Sequence, residues 1–180
     1  MLIYKEKIKH NFFSTIKGGI FMNLKIREGN TNDYIAISNL VKEIHDLHVL
    51  NRPDVYLNVD NPFKKEQFEE LLNSNNTNLF VVENTDNNEL IGYSILQIMT
   101  TRNLNILIPL KFVYVDDFCI KSTYQKRGIG KMLFTHIVDY AKSNEASSIQ
   151  LNVWDFNENA IKFYESLGMS TRNRKMELNI

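Results

Sequence analysis

The stretch from residue 118 to residue 131 carries the clearest chemical pattern in the chain. An apolar run ends at Ile120, a short polar loop follows, and a helical pattern opens at Gly128 and Gly130. The start of a helix offers unpaired backbone N–H groups and a partial positive charge of about half a unit. Glycine lets the backbone approach an anion closely. The pattern therefore predicts a site for a phosphate-bearing ligand. Three cationic side chains add to it: Lys126, Arg127 and Lys131.

Two common phosphate motifs do not fit this loop. A P-loop requires Gly-x-x-x-x-Gly-Lys-Ser/Thr, but Met132 follows Gly130-Lys131 and Gln125 stands where the upstream glycine belongs. A dinucleotide fingerprint requires Gly-x-Gly-x-x-Gly, and position 133 is Leu. What remains is Gln-x-x-Gly-x-Gly over residues 125–130.

This loop resembles the acetyl-CoA loop of the GNAT superfamily of N-acetyltransferases, although Ser122 replaces a frequent proline. Residues 157–169 resemble the second signature of that family, Asn-x-x-Ala-x-x-Phe-Tyr-x-x-Leu-Gly-Phe, with Met169 for the last Phe. The order of elements resembles the family from residue 22 to residue 180. The resemblance implies an N-acetyltransferase with acetyl-CoA as cosubstrate. It also implies an α+β fold, the GNAT (acyl-CoA N-acyltransferase) fold, whose mixed central sheet carries helices on both faces.

The resemblance also implies where the cofactor would lie. The pantetheine arm would run between the strands predicted at 111–120 and 148–154, paired with backbone groups of Phe118, Cys119 and Ile120. One of their N–H groups would hold the thioester oxygen. Asn157 matches a family Asn that contacts the cofactor, and it could equally be a plain helix N-cap. The loop residues implied to hold the pyrophosphate are Gln125, Lys126, Arg127, Gly128, Ile129, Gly130 and Lys131.

Tyr164 matches the general acid of the family, which protonates the departing thiolate. The general base is less plain, because some members place a Glu where this chain has Asn152. Asp116 and Asp117 lie just before the expected acetyl position. Neighbouring strand residues point to opposite faces, so at most one of them can face the substrate. Either could instead bind a cation or act through water, and both could be ordinary solvent-facing residues. Cys119 reads as a small buried hydrophobe, and the family's direct transfer needs no acyl-cysteine.

A polar cluster is expected near the end of the first helix. His45 and His48 share one helix face, and the next turn brings Arg52, Asp54 and Tyr56. In this superfamily the first two helices and their link wall the acceptor pocket. The side chains predicted to contact the acceptor are therefore His45, His48, Arg52 and Tyr56. The alternative is a pair of surface histidines, and two histidines alone make a poor zinc site, so no metal is expected.

Hydrophobic periodicity predicts the elements that hold these residues. From residue 22 their order is β-α-α-β-β-β-α-β-α-β. Strands are expected at 23–27, 79–83, 90–98, 111–120, 148–154 and 175–180, and helices at 35–49, 63–72, 128–143 and 157–168. His136 is expected to face solvent. The short C-terminal segment leaves a sheet edge incompletely covered, which favours a homodimer.

Composition limits the classes of protein. A chain of 180 residues with 43% hydrophobic residues suits one soluble domain. No run of about 18 apolar residues predicts a membrane span. The net charge of zero gives no reason to expect nucleic acid. The single cysteine, Cys119, excludes a disulfide framework and fits a reducing compartment, so a cytoplasmic location is expected.

Residues 1–21 differ from the rest in their basic, aromatic composition. Lys17-Gly18-Gly19 can be encoded by codons that spell a bacterial ribosome-binding site, and Met22 follows shortly after. We interpret residues 1–21 as a leader that is not part of the native protein and residues 22–180 as the N-acetyltransferase domain. The competing interpretation is a genuine, loosely docked extension.

The expected function is transfer of acetyl to a primary amine of a small molecule, directly within a ternary complex. One alternative acceptor is a protein, at its N-terminal amine or a lysine. A third hypothesis is a non-catalytic acyl-CoA-binding module. The shape of the pocket separates the first two, because an open groove suits a peptide and a closed cup suits a small molecule.

Overall fold

Six strands form one mixed sheet in the computed structural model, which describes residues 11–17 and 20–180. The strands lie side by side in chain order: β1 Asn11–Lys17, β2 Ile20–Glu28, β3 Thr77–Asn84, β4 Glu89–Thr100, β5 Lys111–Ile120 and β6 Ser148–Leu151. Every neighbouring pair is antiparallel except β5 and β6, which run parallel. The predicted mixed sheet is therefore confirmed.

Four α-helices accompany the sheet: α1 Tyr34–Asn51, α2 Lys65–Asn73, α3 Ile129–Ser143 and α4 Glu158–Ser166. Local sequence signals mark several helix ends. A single turn of 3-10 helix precedes α1, and Asn30 caps it by accepting the N–H of Asn32. The side chain of Asn157 caps α4, and Gly168 follows its end at φ 89°. No helix in the described ranges is both long enough and apolar enough to cross a membrane.

The helices cover both faces of the sheet, as predicted. Neighbouring residues of β3 alternate between the two cores, because strand side chains alternate in direction. On one face, α1 and α2 pack with Ile37, Leu40 and Phe68 against Leu79, Val81 and Tyr93. On the other face, α3 packs with Ile129, Leu133 and Ile137 against Phe80, Val82 and Val113.

A β-bulge interrupts the centre of β5. Ile95 of β4 lies opposite Asp117, whereas its neighbour Leu96 lies opposite Val115, so Asp116 is one residue too many for the ladder. The alternation of side chains shifts there, because Val115 and Phe118 both contact the core under α3. Pairing of β5 with β6 also stops at Val115. The bulge therefore marks the point where these two strands separate.

The C-terminal strand predicted at 175–180 is wrong. Residues 169–180 form neither helix nor strand, and the apolar side chains of Met176 and Leu178 are exposed. The strand predicted at 148–154 is too long, since β6 ends at Leu151 where its pairing with β5 stops. An alternating pattern gives a segment one apolar side. The segment becomes a strand only where a neighbouring strand can pair with its backbone N–H and C=O groups.

The N-terminal region contains a strand that the sequence pattern did not predict. β1 pairs with β2 from Asn11 opposite Ile26 to Lys17 opposite Ile20. Residues 1–10 and 18–19, which belong to the segment interpreted as a leader, lie outside the described residues. The interpretation of residues 1–21 as a leader stays a prediction.

His136 was expected to face solvent, and this is wrong. Its side chain is 6% exposed, and its ring meets the edge of Phe80 at 4.6 Å between centroids. The Nε2 atom has no hydrogen-bond partner in the part of the chain that the structure describes. His136 follows Leu133 by three residues, which places it on the buried stripe of α3. Burial lowers the pKa of the His136 imidazole, and the nearby charge of Asp139 opposes that effect only partly.

We predict that His136 makes the fold sensitive to acid. Its pKa is lower in the folded chain than the value of about 6.5 in an unfolded one, so below that pH the unfolded state binds the extra proton. The free energy of unfolding should therefore decrease between about pH 7.5 and about pH 5.5. His136→Leu should lose less stability over that interval, measured by chemical denaturation. An identical pH dependence in the two proteins would contradict the prediction. His48, whose pKa is also lowered by burial, leaves the variant some pH dependence.

Candidate active site

A cleft opens where β5 and β6 separate. The last paired residues are Val115 and Leu151, and beyond them the two strands make no further contact as a ladder. Phe118 and Trp154 each lie three residues past that pair. Phe118 lies on the β5 side of this opening, and Trp154 lies in the irregular segment that follows β6. The resemblance implies that the acetyl group lies in this opening.

At the edge of β5 that borders the cleft, the N–H of Ile120 has no hydrogen-bond partner among the described residues, whereas the N–H of Phe118 is held by Asp117 and the carbonyl of Ile120 by Gln125. The N–H of Lys121 bonds to Ile91 of β4 at 2.9 Å. Since alternate residues of a strand direct their N–H and C=O groups to the same side, Cys119 also faces β4, and Phe118 and Ile120 face the cleft. Of the three residues predicted to pair with a pantetheine arm, Phe118 and Ile120 are therefore the two whose backbone points toward it.

The loop after β5 presents the start of α3 as an anion site. Lys126 and Gly128 both have left-handed backbone angles, at φ 59° and φ 83°. The first hydrogen bond of the helix runs from the N–H of Met132 to Gly128 at 3.0 Å. The N–H groups of residues 129–131 donate to no other described residue, so they are available to an oxyanion.

Contacts from the loop to β4, β5 and α1, and contacts within the loop, hold it in place. The Gln125 side chain donates to the carbonyl of Ile120 at 2.9 Å, which gives it a bracing role. Tyr124 donates to Glu89 of β4 at 2.7 Å, and Lys121 forms an ion pair with the same carboxylate. Glu43 of α1 accepts the N–H of Ser122 at 2.8 Å. The Arg127 guanidinium bonds back to the carbonyl of Thr123 at 3.0 Å and lies over the Tyr124 ring.

Gly130 allows α4 to approach α3 closely. A Cβ atom at this position would lie 3.2 Å from the ring of Phe163. That ring in turn lies 5.7 Å from the ring of Phe118. The second glycine of the loop motif therefore brings α4, and with it Tyr164, to the cleft.

Tyr164 lies at the cleft between α3 and β5. Its ring is 6.2 Å from both Phe118 and Phe134. Burial raises the pKa of the Tyr164 phenol above its ordinary value, and the charge of Asp117 raises it further. The hydroxyl therefore stays protonated at neutral pH, as a general acid must. The ring of Phe118, which Tyr164 contacts, belongs to the residue directly after Asp117.

Asp117 and Asp116 lie in different surroundings. Asp116 is exposed on the bulge. Asp117 is largely buried: its Oδ2 atom accepts the hydroxyl of Tyr93 at 2.5 Å, and its Oδ1 atom accepts the N–H of Phe118 at 2.9 Å. Burial raises the pKa of the Asp117 carboxyl, and these two hydrogen bonds oppose the rise. Of the two carboxylates, Asp117 is therefore the one held inside the fold.

The structure also shows the surroundings of Asn157, Asn152 and Cys119. The Asn157 side chain accepts the N–H of Ala160 at 3.2 Å and so caps the helix. Asn152, which stands where some family members have Glu, is exposed. Cys119 is 5% exposed, and burial raises the pKa of its thiol, as do the charges of Asp117 and Glu43.

The predicted acceptor residues do come together, around an aromatic cluster. His48 stacks on Tyr56 at 4.8 Å, and His45 contacts the carbonyl of Leu57 at 2.8 Å. The hydroxyl of Tyr56 accepts the indole N–H of Trp154 at 2.9 Å. We call His45, His48, Arg52, Tyr56, Trp154 and Phe156 the acceptor-side cluster. Because it includes Trp154, this cluster borders the β6 side of the cleft.

Arg52 is the charged member of the acceptor-side cluster. Its guanidinium lies 4.8 Å from the centre of the Trp154 ring. It donates to Asp54 at 2.7 Å and to Glu177 at 2.9 Å. No local pattern predicts the Glu177 contact, because 125 residues separate the two partners.

The family model described as Acetyltransferase (GNAT) family matches residues 41–169. The chain belongs to this family. The predicted family and fold class are thereby confirmed, and the enzyme class agrees with the names of related proteins.

Three similar proteins illustrate the relationship. The tetramutant of the BH1408 protein from Bacillus halodurans is 30% identical, with a TM-score of 0.83, and the match covers 86% of this chain and 99% of that one. L-ornithine N5-acetyltransferase NATA1 from Arabidopsis thaliana is 34% identical over 31% of this chain and 24% of its own length. Thialysine N-epsilon-acetyltransferase from Sus scrofa is 30% identical over 31% of this chain and 33% of its own. The chain thus spans less than two thirds of either of these two curated relatives.

We predict that Asp117→Asn lowers kcat and removes the acidic limb of its pH profile. Since burial raises the pKa of Asp117, activity in the unsubstituted enzyme should fall with decreasing pH at values above those of an ordinary Asp. The measurement is the initial rate of acetyl transfer as a function of pH. Asp116→Asn is the matched control, because Asp116 is an exposed neighbour, and it should leave the profile unchanged. Equal effects of the two substitutions would exclude Asp117 as the base.

Proposed function

We propose that this protein transfers the acetyl group of acetyl-CoA to a primary amine of a small molecule, directly and within a ternary complex. One observation supports this most strongly. Asp117 directly precedes Phe118, whose ring lies 6.2 Å from the ring of Tyr164, close to the point where β5 and β6 stop pairing, and both the carboxyl and the phenol have raised pKa values. We assign them the roles of base and acid that amine acetylation from a thioester requires.

Each residue has a defined task in this proposal. The N–H groups of residues 129–131 bind the pyrophosphate, and the edge of β5 pairs with the pantetheine arm. Asp117 takes a proton from the acceptor ammonium, which frees the lone pair for attack. The cleft-facing N–H of Ile120 stabilises the negative charge on the thioester oxygen. Tyr164 gives its proton to the sulfur of CoA as the C–S bond breaks, and the second proton that the acceptor nitrogen loses as the amide forms restores the phenol. Asn157 adds a cofactor contact beside its role as N-cap.

Direct transfer agrees with the state of Cys119. A cysteine that carried the acetyl group would have to act as a thiolate. The Cys119 thiol is buried, its pKa is raised, and its Sγ lies 3.9 Å from the carbonyl of Leu40. These features keep it a protonated thiol in the core. Its backbone also faces β4, away from the cleft.

The acceptor-side cluster supports a small acceptor. The hydrogen bond from Trp154 to Tyr56 and the ion pair from Arg52 to Glu177 link separate segments of the chain next to the end of β6. A peptide would need an open groove there. Two relatives are named for the acetylation of ornithine and thialysine, which are amino acids with an amine on the side chain. Contacts from His45, His48, Arg52 and Tyr56 would then orient the acceptor.

The deciding experiment is a thiol-release assay with acetyl-CoA against a panel of amines. The panel contains polyamines, amino acids, aminoglycosides, and peptides with a free N-terminus or lysine. Release with small amines supports the proposal, and release with peptides alone would favour a protein acceptor. Binding of acetyl-CoA without release for any amine would indicate a non-catalytic module.

We predict that Tyr164→Phe lowers kcat by about 10²–10⁴-fold, because the thiolate loses its proton donor. The affinity for CoA, measured by titration calorimetry, should change by no more than about twofold. Tyr140→Phe is the control, since Tyr140 lies farther along α3 and packs against Phe80. A Tyr164→Phe enzyme with normal kcat would show that another group protonates the sulfur.

We propose that the protein forms a homodimer in a bacterial cytoplasm. Support for a dimer comes from β6, which pairs only with β5 among the described strands, and from exposed apolar side chains between β4 and β5, including Ile106 and Ile108. Support for the cytoplasm comes from the free thiol of Cys119. Light scattering should give twice the mass of one chain. A monomer at high concentration would contradict the dimer.

A further inference from the structure

Arg52 has the surroundings of a carboxylate-binding residue at the cleft. Its guanidinium lies against the face of Trp154, which follows the last paired residue of β6 by three residues. Stacking of this kind fixes the plane of the guanidinium and leaves its edge to make hydrogen bonds. That edge already holds two carboxylates, those of Asp54 and Glu177. Arg52 therefore already binds carboxylates next to the point where β6 leaves the sheet.

The two carboxylates on Arg52 differ in how firmly they are held. Asp54 is two residues away, and both of its oxygens contact the guanidinium. Glu177 comes from the C-terminal segment, here called the tail, residues 170–180, which forms neither helix nor strand. Its contact with Arg52 is the only hydrogen bond or ion pair that ties the tail to the rest of the described chain. The side chain of Glu177 is 58% exposed. Exposed ion pairs contribute little stability, so this contact can be exchanged for another carboxylate.

We propose that Arg52 binds the carboxylate of an amino-acid acceptor at the position that Glu177 occupies, and that the tail is displaced when the acceptor binds. This inference rests on the proposed function. The terminal amine of the same acceptor then reaches Asp117 and Tyr164, so the acceptors are amino acids with an amine at the end of the side chain. Glu177 acts as an internal competitor that fills the carboxylate site of the empty enzyme.

The first test compares acceptors that differ only in the carboxylate. L-ornithine and L-lysine are paired with their decarboxylated forms, putrescine and cadaverine. Arg52→Gln should lower kcat/KM for the amino acids by about tenfold to a hundredfold, as expected for loss of a charged hydrogen bond, and leave the diamines within about twofold. Arg102→Gln, an exposed arginine between β4 and β5, is the control. An equal loss for amino acids and diamines would overturn the inference.

The second test does not depend on turnover. Trp154 is the single tryptophan of the chain, so its fluorescence reports on the guanidinium stacked against it. With CoA present, L-ornithine or L-lysine should change this fluorescence in a saturable way, and the diamines should not. Glu177→Gln should lower the midpoint of the titration by at least about twofold, because it weakens the competitor. Glu70→Gln, on the exposed side of α2, should leave the midpoint unchanged.

The outcomes separate the inference from the proposed function. No response of Trp154 to either amino acid, or a midpoint that Glu177→Gln does not shift, overturns the inference even if thiol release from other amines continues. A saturable response that Arg52→Gln removes, in an enzyme that releases no thiol with any amine, supports the carboxylate site and overturns the acetyltransferase proposal.

Discussion

The extra residue in β5 is the constraint on which the site depends. Because Asp116 has no partner in β4, the alternation of β5 shifts by one position at this point. Phe118 then faces α3 and α4, and Asp117 faces the layer of α1, where it meets Tyr93. The same bulge is where β5 leaves β6. One inserted residue thus opens the cleft and places a carboxylate beside it.

Burial sets the chemistry of the two groups at this cleft. A carboxylate and a phenol both lose solvation of their charged forms, so the pKa values of Asp117 and Tyr164 both rise. For Asp117 this means a stronger base, and for Tyr164 a phenol that stays protonated. Tyr93 and the N–H of Phe118 each donate to Asp117, which offsets part of the cost of burying its charge. The environment therefore favours opposite roles for two neighbouring acids.

Sequence patterns predicted those helices and strands whose bounds depend on nearby residues. The bounds of β5, the glycine-led start of α3 and the Asn157 cap all follow from periodicity and from residues with special backbone or capping properties. The bulge has no local signature, because its cause lies in the pairing of β5 with two neighbours. Burial of His136 depends on how α3 rests on Phe80. The ion pair between Arg52 and Glu177 depends on the path of the whole chain. These features arise from tertiary contacts that no short stretch of sequence contains.

The contact of Glu177 with Arg52 explains why the alternating apolar residues of the tail did not form a strand. In an extended segment, Met176 and Leu178 share one side and Glu177 points to the other. When Glu177 contacts Arg52, the apolar side is turned away from the body, in agreement with the exposure of both side chains. Burying that side requires Glu177 to leave Arg52. Any ligand that takes the place of Glu177 therefore favours packing of the tail elsewhere, and by reciprocity any surface that binds the tail makes Arg52 more available to that ligand.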